Sequence, residues 1–116
     1  MNAETMIVQY LKRHLDEHVS TDVPPERPAR FITVERTGGT ETRFASRPML
    51  AIQVWGGTRT ECGNLAQKVK GILFGLTSLT TVSDVQVMSL TDFPEPGQPA
   101  SQRYQIVIQV TMQATD

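Results

Sequence analysis

The feature that most constrains this chain is a strict period-two alternation close to its C-terminal end. Tyr104, Ile106, Ile108, Val110 and Met112 alternate with Gln105, Val107, Gln109, Thr111 and Gln113, the pattern of a strand with one face buried and one face free. Such a strand needs sheet neighbours and a layer of other elements packed on its apolar side.

Candidate neighbours are legible upstream. Arg30–Arg36 and Met49–Trp55 carry aromatic and β-branched residues closed by Gly38-Gly39 and Gly56-Gly57, and Val85–Leu90 alternates as a third strand. Thr37 to Arg47 lies between the first two strands and is long for a hairpin loop, where two to five residues are usual, so a polar loop free to reach a partner is expected there. Phe93 to Pro99 reads as a proline-rich turn.

Two segments have helical spacing instead. Ile7, Leu11, Leu15 and Val19 recur every fourth residue from Glu4 to Val19, and Pro24, Pro25 and Pro28 then make a stiff connector. Cys62, Leu65, Ala66, Val69, Ile72, Leu73 and Leu76 form a second stripe, preceded by Thr58 and Glu61 at the spacing of a capping box. The order is α-β-β-α-β-β, which predicts an α+β fold: a four-stranded, mainly antiparallel sheet with two helices on one face. At 116 residues, a single domain over 1–116 that buries roughly two thirds of its unfolded surface is expected.

Composition removes several function classes. The lone Cys62 cannot form an internal disulfide, Met1 to Thr5 is polar, and no apolar run approaches the ~20 residues of a membrane span. Synthesis in a reducing cytoplasm with no membrane partner is the expectation. A net charge of -1 supplies no global field for nucleic acid.

The chemical motifs are thin. His14-Leu-Asp-Glu17-His18 matches H-x-x-E-H, a zinc-hydrolase pattern that needs both histidines on one helical face, a third ligand and a cleft. Helix-surface histidines are the reading preferred here. Gly56-Gly57-Thr58 opens a helix whose amides could hold an anion, yet it lacks the Walker and dinucleotide patterns, and a turn followed by an N-cap suffices. Cys62 is read as a small core side chain. No catalytic residues, metal ligands or cofactor are assigned.

Charge placement says more. No charged residue occurs across Met49–Gly57, Val85–Thr91 or Tyr104–Gln113. Solvent-facing sheets usually carry charges, whereas interface cores are depleted of them. Gln53, Trp55, Gln105, Gln109 and Gln113 are therefore candidate subunit-interface positions, outward on the sheet. Arg27, Arg30, Arg36, Arg43, Arg47 and Arg59 cluster in one third of the chain, either as a rim with local salt bridges or as a basic patch for an acidic partner or passing DNA. Arg43 and Arg47 are the candidate partner contacts of the long loop.

The run Arg47-Pro-Met-Leu-Ala-Ile-Gln-Val-Trp55, the small-residue turn, the helix from Thr60 to Leu76 and the strand Arg103-Tyr-Gln-Ile-Val-Ile-Gln-Val-Thr111 resemble the tail terminator (tail completion) proteins of long-tailed bacteriophages and prophages. The resemblance implies a non-enzymatic homo-oligomeric ring, usually a hexamer, in the virion tail. Such a ring caps the tail tube, with the tail tube protein and the head-tail connector protein as partners and DNA as a passing contact. Two rival readings are a phage head-tail connector subunit and a ferredoxin-like module binding a small ligand at Gly56-Gly57.

Overall fold

The computed structural model of the chain describes residues 2–97 and 101–113. Its elements are helix α1 (Ala3–His14), strands β1 (His18–Ser20), β2 (Arg30–Glu41) and β3 (Ala45–Gly56), helix α2 (Arg59–Phe74) running into a 3-10 turn (Gly75–Ser78), and strands β4 (Val82–Asp92) and β5 (Arg103–Gln113). The α+β class and the two helices agree with the expectation. The sheet has five strands and is mixed, in the order β1-β2-β3-β5-β4, with β1 parallel to β2 and the other pairs antiparallel.

The extra strand comes out of the expected first helix. Asn2 caps α1 by accepting from the Thr5 amide at 2.8 Å, but the helix stops at His14, and Leu15 is already extended. Val19 then pairs opposite Ile32 at the sheet edge. Leu15 and Val19 are both buried, as a four-residue stripe demands; an extended segment returning over the same core buries the same two positions, and pairing with β2 supplies the backbone bonds that a fifth helical turn would have made.

The Thr37–Arg47 loop is likewise corrected. Thr37–Glu41 and Ala45–Arg47 continue β2 and β3, with Glu41 opposite Ser46, leaving only Thr42-Arg43-Phe44 as the turn. The glycines that read as a terminator make a β-bulge instead: the register shifts between Arg36 and Gly38, and Gly39 has φ +113°. A Cβ there would collide with the Arg47 carbonyl across the ladder, so glycine lets the hairpin twist without breaking.

Ile32, Val34, Leu50, Ile52, Val54, Ile106, Ile108 and Val110 point inward and form one apolar cluster with Ile7 and Leu11 of α1 and Cys62, Leu65, Val69 and Leu73 of α2. Both helices therefore cover the same face of the sheet. A side chain like Leu73, which is fully buried, contributes about 1.5–3 kcal/mol of transfer free energy. The Thr58–Glu61 capping box forms in both directions. Gly75 is not a left-handed cap: its φ is -73°, and a Cβ would meet the Tyr10 hydroxyl, so its smallness lets α1 approach α2. The proline-rich turn is described to Gly97; Gln98 and Pro99 lie outside the described residues. Among the described residues, no helix is long and apolar enough to cross a membrane.

Candidate assembly surface

With both helices on one side, the opposite face of the sheet has no helical layer among the described residues. Its side chains fall into four rungs set by the strand register. Phe31, Trp55 and Arg103 form one; Thr33, Gln53, Gln105 and Thr91 the next; Glu35, Ala51, Val107 and Ser89 the third; and Met49, Gln109 and Gln86 the fourth. Four of the five sequence-predicted interface residues, Gln53, Trp55, Gln105 and Gln109, thus share this face. Gln113 ends β5 opposite Ala45, exposed and beyond the last of these rungs.

The middle of the face is uncharged and the charges stand at its border: Glu35 on β2, Arg103 at one end, and Arg47 and Asp84 near the other. An uncharged centre with a charged rim is the anatomy of a protein interface. Gln53 donates to the Gln105 side-chain oxygen at 3.1 Å, so the amides pair across the strands, and the outer Gln105 amide hydrogens remain available to a partner. Val107, half-buried at the centre of the third rung, was not singled out in the sequence because it interrupts the glutamine series.

Trp55 differs from its sequence reading. It points to the outer face but is only 2% exposed. Phe31 stacks on it at 5.2 Å, the guanidinium groups of Arg27 and Arg103 lie 5.2 and 4.8 Å from its ring centre, and its indole N–H donates to the Thr33 hydroxyl at 3.2 Å. Arg27 of the proline connector and Arg103 at the start of β5 cover it, so Trp55 belongs to the subunit rather than to a free surface.

Four of the six clustered arginines are held in ion pairs: Arg27 with Glu95, Arg30 with Glu61, Arg36 with Glu41 and Arg59 with Asp92. The Arg27 bond raises the arginine's pKa and lowers that of Glu95, each chiefly through the side-chain hydrogen bond. These pairs are exposed and water-screened, so each adds little stability. Arg43 and Arg47 make no ion pair among the described residues.

His14 is the last residue of α1 and His18 the first of β1, so the H-x-x-E-H spacing does not put them on one helical face. His14 instead bonds the Tyr10 carbonyl oxygen at 2.8 Å. At the start of α2, the Glu61 carboxylate accepts from the Thr58 amide at 2.9 Å and is paired with Arg30. The capping box thus takes up the Thr58 and Glu61 amides and brings a carboxylate to the start of α2. The Thr58 amide and hydroxyl and then the Arg30 charge hold the Glu61 pKa below its ordinary value. Cys62 is fully buried, its thiol 3.2 Å from the Val54 carbonyl oxygen; burial raises its pKa, which keeps it protonated and unreactive.

Compared with known proteins, the chain matches no family model and no curated protein.

Proposed function

We propose that this protein is a non-enzymatic assembly subunit that forms a homo-oligomeric ring through its uncovered sheet face and works as a phage tail terminator. The observation that carries the self-assembly is the rim-charged, uncharged face built from Gln53, Ala51, Gln105, Val107 and Gln109. Glutamines and small apolar residues can be desolvated between subunits at low cost because amides find new partners, whereas an unpaired charge costs several kcal/mol. The terminator role rests on the resemblance of the strand and helix segments. It implies a ring, six-fold in that family, that stops tube growth and docks the head-tail connector protein while DNA passes through.

A connector subunit would share the assembly surface and differ in what it binds. The small-ligand module, read as holding an anion, is disfavoured by the Glu61 carboxylate that the capping box sets at the α2 amino terminus. The deciding experiment is light scattering and electron microscopy of the purified chain, alone and with tail tube protein. A closed ring that caps tube polymers supports the reading. A chain that stays monomeric at high concentration with tube protein present sinks it, and a ring that binds only the connector reassigns it to the neighbouring role.

A further inference from the structure

We propose that the tip of the β2–β3 hairpin of one subunit docks in an acidic groove at the β1–β2 edge of a second copy. The inference rests on the self-assembly proposed above and not on a phage role. The groove is open, about 580 Å³, and lies where β1 ends and leaves β2 without a neighbour beyond Thr33. Glu4, Asp22 and Glu35 line it, with Thr33 and Val23, the latter 39% exposed. The Glu4 carboxylate is fixed in place by the Arg36 amide at 2.9 Å. Among the described residues the Asp22 carboxylate receives only the Thr21 hydroxyl at 3.4 Å, and Glu35 has no cationic partner. Arg36, the one cation in the lining among the described residues, is already paired with Glu41. The groove therefore keeps a negative balance.

The hairpin tip carries the opposite charge and an aromatic anchor. Phe44 is 79% exposed, the Arg43 guanidinium lies 5.8 Å from its ring centre, and Arg47 stands three residues on. The turn is preorganised: the Thr42 hydroxyl accepts from the Phe44 and Ala45 amides at 3.3 and 3.1 Å, and the Thr42 amide donates to the Ala45 carbonyl at 2.7 Å. A rigid turn presenting one aromatic and one arginine, with Arg47 behind it on β3, has the composition of an interface hot spot. The tip cannot reach its own groove, because the six steps from Glu35 to Glu41 alone span about 20 Å of strand. Tip and groove are different patches, so a contact between copies runs head to tail, the kind that closes into a ring when the rotation allows.

Charge reversal tests this with the full chain. Arg43→Glu with Arg47→Glu, and separately Asp22→Lys with Glu35→Lys, should each leave the circular dichroism spectrum unchanged and raise the concentration needed for assembly at least tenfold in light scattering. All four substitutions in one chain should restore assembly, and an equimolar mixture of the two double variants should assemble where neither does alone. Double variants that assemble like the wild type, or a folded fourfold variant that stays dissociated, overturn the contact while leaving the wild-type ring intact. Tip variants that keep their own ring and lose only tube-protein binding also overturn it, since the occupant is then not a second copy. A wild type that never assembles removes this contact and the ring together.

Discussion

Val107→Glu places one carboxylate at the centre of the uncovered sheet face, and its cost can be separated into fold and assembly. In the free subunit, the rung neighbours are Ala51 and Ser89, and the nearest acid on that rung is Glu35, two strands away, or about 10 Å at the usual strand spacing. At that distance in water the repulsion is about 0.4 kcal/mol. Arg103 lies four residues along β5, about 13 Å distant, too far to pair with the new charge. Adding the poorer strand preference of glutamate gives a total near 1 kcal/mol, equivalent to about 4 °C in melting temperature for a chain of this length. In an assembled face the same carboxylate has no counter-ion and must be desolvated, at several kcal/mol. Taking about 3 kcal/mol, each contact weakens roughly 150-fold, and in a symmetric ring every interface carries the change. Light scattering across a concentration series, with a thermal melt on the same samples, reads both terms. A variant that melts within a few degrees of wild type yet assembles at the same concentration refutes the face as the assembly surface.

The remaining predictions concern stability. Leu73→Ala, at a fully buried position, should cost about 2–5 kcal/mol in denaturant unfolding; a loss below about 0.5 kcal/mol would mean that α2 does not pack as described. Gly71→Ala, in the exposed interior of α2 with open space at its Cβ, should stabilise by about 0.8–1 kcal/mol. Gly75→Ala should destabilise, because its Cβ meets the buried Tyr10 hydroxyl; equal effects of the two changes in thermal melts would contradict the α1–α2 packing. The lowered pKa values of Glu61 and Glu95 mean that their contributions are present above the ordinary carboxylate range and vanish as pH falls through the depressed values. Glu61→Gln should therefore flatten the acid limb of the stability curve, and an unchanged limb would detach the cap from acid unfolding.

What the sequence disclosed depended on how local the cause was. The β5 alternation, the α2 stripe and the Thr58–Glu61 box are enforced by neighbours within a few residues, and all three appear in the structure. β1 was hidden because Leu15 and Val19 fit a helical stripe and an edge strand equally well, and only Phe31–Thr33, far along the chain, decides between them. The extension of the β2–β3 hairpin beyond Arg36 was hidden by Gly38-Gly39, whose stop signal is also a bulge signal. The outward placing of Gln53, Gln105 and Gln109 followed from period-two logic. Trp55 followed the same logic to the correct face, but its roof comes from Arg27 and Arg103 on distant segments. The groove gathers Glu4, Asp22 and Glu35 from a helix, a connector and a strand, a juxtaposition with no linear signature.

The roof over Trp55 also makes the protein its own optical gauge. It is the chain's single tryptophan, and its emission depends on whether Arg27 and Arg103 remain over the ring. Arg27, before β2, is held by Glu95, and Arg103, the first residue of β5, rests against Phe93 and donates to the Phe93 carbonyl, so one fluorophore on β3 senses the segments before β2 and after β4, while circular dichroism reads the helices and the sheet. A red shift at denaturant concentrations below the ellipticity transition would record the connectors lifting before the domain unfolds, without a label or a substitution.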